Sequence, residues 1–176
     1  MRYGVPYRGS KNKIAQWVVS NLPAGDTLID LFAGGCSVTH AALLSGKWNH
    51  IVANDIGDGP QLFMDAVHGK YANEKRWISR EDFHLPSNAV VYADPPYKRT
   101  NCTGYKCDFD HESFEKWLAE TPFMVVISEY EAPSGCVEVA SIKKQSSMGT
   151  GNKGGSDIEK LFVQERFAER YKNSFT

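Results

Sequence analysis

Thr27-Leu28-Ile29-Asp30-Leu31-Phe32-Ala33-Gly34-Gly35-Cys36-Ser37 passes from an apolar run into a pair of glycines, and Val38 to Leu44 continues with helical character. Thr27 to Phe32 has the length and composition of a buried strand, and glycine after it lets a ligand approach the backbone closely. A strand, a glycine loop and a helix in that order predict a ligand-cradling unit of the Rossmann kind. The glycines do not form Gly-x-Gly-x-x-Gly and no Walker lysine follows, which argues against a pyrophosphate or triphosphate ligand. Asp30, at the end of the strand, suits a positively charged group. Gly46 stops the helix, and His50-Ile51-Val52-Ala53-Asn54-Asp55 predicts a second strand closing on another acid. An acid in that place accepts hydrogen bonds from ribose hydroxyls; the competing role for Asp55 is to cap the next helix.

A later stretch carries the chemistry. Ala89-Val90-Val91-Tyr92-Ala93-Asp94-Pro95-Pro96-Tyr97 reads as a short buried strand over Ala89 to Tyr92, ending on a carboxylate, two prolines and an aromatic ring. In open α/β sheets ligands bind outside the carboxyl ends of the strands, so Asp94 reads as functional. Pro95 and Pro96 fix two successive φ angles and offer no amide hydrogen, which leaves their carbonyls free to accept. The Asp94 carboxylate is also an acceptor. Two converging acceptors suit a nitrogen bearing two hydrogens, such as the exocyclic amine of a nucleobase, and Tyr97 is placed to stack on that base. The bland reading of the same residues is a type I turn capped by aspartate.

The remaining chain supports an α/β protein. Its 176 residues are enough for a single domain, 1–176, with one sizeable core. Hydrophobic residues make up 41% and charged residues 23%, so disorder is not expected, and a net charge of −1 means that a nucleic-acid partner would need local basic patches. No apolar run reaches membrane-spanning length and Met1-Arg2-Tyr3-Gly4 is not a signal sequence, so a cytoplasmic protein without membrane contact is expected. Cys36, Cys102, Cys107 and Cys136 lack paired spacing, and Cys102, Cys107 and His111 do not form a recognisable zinc pattern, so no metal is expected. Residues 1 to 10 should be a loop or extended arm. Ser10 should cap a helix running from Lys11 to about Asn21, with Lys11 disfavoured by the helix dipole and therefore a candidate for a ligand. Helices are expected over 61 to 70 and His111 to Leu118. Strands are expected over Phe123 to Ser128, Val137 to Ile142 and Glu159 to Gln164, the last two forming a C-terminal antiparallel hairpin on a mostly parallel sheet.

Three motifs agree: Asp30-Leu31-Phe32-Ala33-Gly34-Gly35, Asn54-Asp55-Ile56 and Asp94-Pro95-Pro96-Tyr97. Together they resemble the Dam-like, D12 class of DNA adenine N6-methyltransferases. Tyr7-Arg8-Gly9-Ser10-Lys11 is similar to the N-terminal cofactor motif of that family, Ile127-Ser128-Glu129-Tyr130 to its Ser-Asn-Tyr segment, and Glu159-Lys160-Leu161-Phe162-Val163 to its closing strand. The resemblance implies S-adenosylmethionine as cofactor and a Rossmann-like methyltransferase sheet. It implies that Asp30, with Phe32, Ala33 and Gly34, holds the methionine amino end and that Tyr7 and Lys11 close over it. Asp55 with Ile56 would take the ribose, and Asp82 with Phe83 the cofactor's adenine. Asp94 and Pro95 would bind the target amine beside the cofactor, with Pro96 shaping the bend and Tyr97 on a flipped-out base. Glu129 departs from the family's usual asparagine.

The expected partner is DNA whose target adenine is flipped out or single-stranded. Arg8, Lys98, Arg99, Tyr105, Lys106, Lys143 and Lys144 are the candidate nucleic-acid contacts, most of them in two polar loops, 98–108 and 143–156, expected to be mobile without nucleic acid. Only residues 56 to 81 fill the place where the family commonly inserts a target-recognition subdomain. Loose sequence specificity follows, or a protein partner or homodimer that supplies it. Methylation of RNA adenine or of a cytosine amine, and a binding module without catalysis, are the alternative readings.

Overall fold

The computed structural model describes residues 2–7, 10–66, 75–76, 89–97, 109–143 and 158–176. Seven strands among them form one sheet: β1 (Thr27–Asp30), β2 (His50–Ala53), β3 (Lys75–Arg76), β4 (Val90–Ala93), β5 (Val125–Glu129), β6 (Cys136–Lys143) and β7 (Ile158–Gln164). Their order is β3-β2-β1-β4-β5-β7-β6, with β1 to β5 parallel and β7 antiparallel to both β5 and β6. The mostly parallel sheet with a C-terminal antiparallel pair is therefore as expected, with one refinement. It is β7, not β6, that docks on β5, and β6 forms the outer edge.

Alternation along each strand divides the core between the two faces. Leu28, Val90, Tyr92 and Val126 pack with Leu161 and Val163 against Ile14, Val18 and Leu22 of the α1 (Ala15–Ser20) region and Ala41 and Ala42 of α2 (Ser37–Ser45). Ile29, Val52, Val91, Ala93, Val125 and Ile127 face Leu118 of α4 (His111–Glu120). Four strand residues of β1 and four of β4 are all buried, as covered parallel strands require. Asp110 caps α4 by accepting from the Ser113 amide at 3.0 Å.

Three boundaries differ for physical reasons. α1 begins at Ala15, not at Lys11: residues 12–14 form a turn, and the Lys11 side chain is committed to a buried cluster of acceptors. Ser10 accepts from the Asn12 amide at 3.3 Å and shares a 2.6 Å hydrogen bond with Ser37, so it ties the arm to α2 and is not the cap of α1. Lys143, expected to open a mobile loop, is the last residue of β6 and pairs with Ile158. After β7, residues 165–176 contain a 3-10 turn and then α5 (Ala168–Asn173), anchored by the Tyr171 hydroxyl donating to the Asn21 carbonyl at 2.7 Å.

β1 is the switch point of the sheet: its next strand in the chain, β2, lies on one side and β4 on the other. The crevice outside the carboxyl ends of β1 and β4 is where a doubly wound sheet takes its ligands.

Candidate functional site

Three acids stand at that crevice. Asp30 is the last residue of β1, Asp55 lies two residues past β2, and Asp94 directly follows β4. A fourth arrives by a different route. β7 runs antiparallel, so its first residues lie beside the carboxyl end of β5, with Lys160 paired to Glu129, and this brings Glu159 to the same edge.

Asp30 is 1% exposed. Its Oδ2 accepts from the Thr39 hydroxyl at 2.7 Å and the Thr39 amide at 3.2 Å, whereas Oδ1 is buried without a hydrogen-bond partner among the described residues. Burial raises its pKa to about 7, with the Thr39 hydrogen bonds opposing and the nearby Asp94 charge adding to the rise. A buried carboxylate with one unused acceptor fits a cationic ligand, because an ammonium would supply both the hydrogen bond and the missing counter-charge.

The glycine loop is shaped by its neighbours. The Asp55 carboxylate accepts from the Gly34 amide and from the Gly57 amide, each at 2.8 Å, so it ties the loop after β1 to the loop after β2. Its residual acceptor capacity still faces that junction. Gly34 has φ +49, and a Cβ there would lie 3.0 Å from the Tyr7 ring. Gly59, at the start of α3 (Gly59–Ala66), sits so close that a Cβ would be 1.8 Å from the Gly34 carbonyl oxygen. The arm 2–7 lies over this loop, with the Val5 amide donating to the Gly35 carbonyl at 2.8 Å and the Gly4 amide to His40 Nδ1 at 3.0 Å. Ala33 is buried and its amide bonds the Asn54 carbonyl. Ile56, next to Asp55, is 67% exposed. Phe32 packs edge-on to Phe109 and Phe114 on the α4 side.

Around Asp94 the side chains converge. Lys11 is 8% exposed, and its Nζ lies 2.8 Å from Asp94 Oδ1, 2.7 Å from the Tyr97 hydroxyl and 3.4 Å from Glu159 Oε1. Tyr97 accepts from Lys11 and donates a short hydrogen bond to Glu159 Oε1, with its ring 4.6 Å from that of Tyr130. Burial alone would lower the Lys11 pKa, but the Asp94 and Glu159 carboxylates more than offset it, so the ammonium stays charged. For Asp94, burial raises the pKa, Lys11 opposes this, and the like charge of Glu159 adds to the rise. Next to these groups is a small cleft of about 70 Å³ lined in part by Pro95, Phe114, Ile127, Glu129, Tyr130 and Pro133.

The structure thus brings Tyr7, Ala33, Gly34 and Asp55 together at the glycine loop, and Lys11, Asp94 and Tyr97 together at the end of β4. Lys11, expected over the methionine end, is bonded to Asp94. Tyr97 is 8% exposed and its hydroxyl, to which the motif assigns no part, is fully engaged. Arg8, Asp82, Phe83, Lys98, Arg99, Tyr105, Lys106 and Lys144 lie outside the described residues. Glu159 is the residue that sequence reasoning missed. Its signal was there: in Ile158-Glu159-Lys160-Leu161 the exposed position carries isoleucine, 36% accessible, and the buried one carries glutamate, 0% accessible, which inverts the rule for a strand.

Fold and site together define a protein with the Rossmann-like architecture of methyltransferases. The precorrin-6Y C5,15-methyltransferase C-terminal domain of Rhodobacter capsulatus superposes with a TM-score of 0.56 at 12% identity, over 92% of this chain and 93% of that one. A candidate RNA methyltransferase of Pyrococcus horikoshii gives 0.59 at 15% identity, over 93% and 91%. Within that architecture, residues 7–67 match the family described as D12 class N6 adenine-specific DNA methyltransferase. A stretch of 53 residues is 43% identical to the Type II methyltransferase M2.HphI of Haemophilus parahaemolyticus, spanning 30% of this chain and 15% of that protein. The resemblance read from the motifs is borne out over residues 7–67. No described helix is long and apolar enough to cross a membrane.

Proposed function

We propose that this chain is an S-adenosylmethionine-dependent methyltransferase that methylates the exocyclic N6 amine of adenine in DNA. The observation that carries the reading is the convergence of Asp94, Lys11 and Tyr97 at the carboxyl end of β4, one strand from the buried Asp30. The D12 match supports the cofactor half; Asp94 to Tyr97 lie beyond residue 67, so the amine site rests on its own chemistry.

Asp30 holds the cofactor's ammonium, Asp55 its ribose, and Gly34 allows close approach of the backbone. S-adenosylmethionine supplies an electrophilic methyl group when bound. An aryl amine is a weak nucleophile because its lone pair is delocalised into the ring. Asp94 and the Pro95 carbonyl, both acceptors, draw on its two hydrogens and favour a pyramidal nitrogen with a localised pair. Lys11 favours the ionised form of Asp94 and opposes the rise in its pKa that burial causes. Positioning and electrostatics supply the rate, with no covalent link to the protein. The base reaches Asp94 only when flipped out or already single-stranded.

Loose specificity accompanies this reading. The stretch from 56 to 81 is short for a target-recognition subdomain and must also supply α3 and the edge strand β3, whereas direct readout needs an element that enters the major groove. A protein partner or a second copy of the chain would supply any sharper recognition. The test is incubation with methyl-labelled cofactor and, in parallel, single-stranded DNA, duplex DNA and RNA, followed by mass spectrometry of nucleosides. Label in N6-methyldeoxyadenosine, greatest on single strands and absent with Asp94→Ala despite retained cofactor binding, is expected. Label confined to ribonucleosides or to a cytosine amine overturns the assignment.

A further inference from the structure

The geometry points to Glu159 as a positioning residue for the Asp94–Tyr97 site: from β7 its carboxylate fixes the Tyr97 hydroxyl and holds the Lys11 ammonium against Asp94. The inference deepens the methyltransferase reading and rests on it for its kinetic consequence, but not for its titration.

Glu159 is wholly buried in a strand whose next three core positions, Leu161, Phe162 and Val163, are apolar. An aliphatic residue would fill that place without the penalty of burying a charge, and a buried ion pair is commonly no more stabilising than well-packed hydrophobic side chains. Packing therefore does not account for a glutamate here. Its contacts do. The ammonium of Lys11 has three hydrogens, and three oxygens surround it: Asp94 Oδ1, the Tyr97 hydroxyl and Glu159 Oε1. Because the Tyr97 hydroxyl accepts from Lys11, its own hydrogen points to Glu159, and the phenol is held at both ends. Without Glu159, Lys11 keeps Asp94 as its one anion, and the Tyr97 hydroxyl loses the acceptor that fixes it from β7, so the phenol is less firmly placed beside Asp94.

Glu159 also sets the charge at the site. The charged and titratable groups facing Asp94 among the described residues are Lys11 from the segment before α1, Glu159 from β7, Asp30 from β1, and Tyr92 and Tyr97 on either side of it in sequence. Lys11 favours the ionised form, whereas Glu159 and Asp30 oppose it. Replacing Glu159 by an isosteric neutral group must therefore lower the pH at which Asp94 titrates.

Glu159→Gln, with Glu159→Asp as the charge-retaining control, tests this on the full chain. The acid limb of kcat at saturating cofactor is expected to move down by about one pH unit. The kcat itself should fall roughly 10- to 100-fold, the scale of a small misplacement, with KM for the cofactor unchanged, and Glu159→Asp should return the acid limb toward that of the wild type. Carbon-13 NMR titration of the Asp94 carboxyl reads the same downward shift without any assay of transfer. If the wild type methylates no nucleic acid, the functional reading fails and this titration alone decides the role of Glu159. An unmoved Asp94 midpoint in Glu159→Gln overturns the inference, as does full kcat in that variant, or a loss expressed wholly in cofactor KM.

Discussion

Asp30 gives the sharpest quantitative consequence of the structure, because it sets the cost of a binding group against the stability of the fold. Its carboxyl has a pKa raised from 3.8 to about 7. An acid raised on folding contributes stability that is fully present below its unfolded value and is lost as pH climbs through the folded value. The wild-type protein should therefore lose stability between about pH 4 and pH 7, reaching about 4 kcal/mol above neutrality at 1.4 kcal/mol per unit. Asp30→Asn does not titrate. Its amide oxygen can keep both Thr39 hydrogen bonds, but its amide nitrogen then occupies the place of the partnerless Oδ1, at a cost of about 1–3 kcal/mol. The variant should accordingly be less stable than the wild type at pH 4 and more stable by about 1–3 kcal/mol at pH 8.

Urea unfolding of the ligand-free proteins across pH 4 to 8 measures this directly, and the two curves should cross. Adding S-adenosylmethionine at pH 8 should then stabilise the wild type, by about 2.7 kcal/mol at a hundred times its Kd, and leave the variant unchanged. A difference between the two proteins that is flat from pH 5 to pH 8 would show that Asp30 does not carry a buried charge, and the argument for it as the ammonium ligand would go with it.

Tyr97→Phe keeps the ring but removes the hydroxyl bonded to Lys11 and Glu159, and should destabilise by about 1–3 kcal/mol in chemical denaturation. If it costs nothing, the phenol is not part of the cluster. Gly59→Ala would place a Cβ 1.8 Å from the Gly34 carbonyl oxygen, so α3 or the glycine loop must shift; cofactor affinity by calorimetry should fall at least tenfold, roughly 1.4 kcal/mol, and unaltered affinity would mean that the loop is not the cradle.

How much of this was legible from the sequence follows from where each residue gets its meaning. β1, β4 and β5 were readable because a strand buried on both faces must be apolar throughout, and Leu28-Ile29, Val90-Val91 and Val125-Val126-Ile127 leave little choice. Asp30 and Asp94 were readable because each ends such a run. Lys11 misled: ten residues of good helical pattern follow it, but an ammonium that satisfies Asp94 and the Tyr97 hydroxyl across more than eighty residues of chain holds its own segment out of the helix, and no local pattern encodes that contact. Glu159 was concealed more thoroughly. A single acid in a strand reads as a solvent-facing position, and only the register of β7 against β5, set by the antiparallel return of the chain, turns it inward. The part of the site that sequence states openly is thus the part built from strand ends, where fold and function coincide. The part that it conceals is the pair of long-range charges that act on Asp94, Lys11 for its ionised form and Glu159 against it, and both are inverted pattern positions: a lysine where a helix should start, and a glutamate where an isoleucine should be.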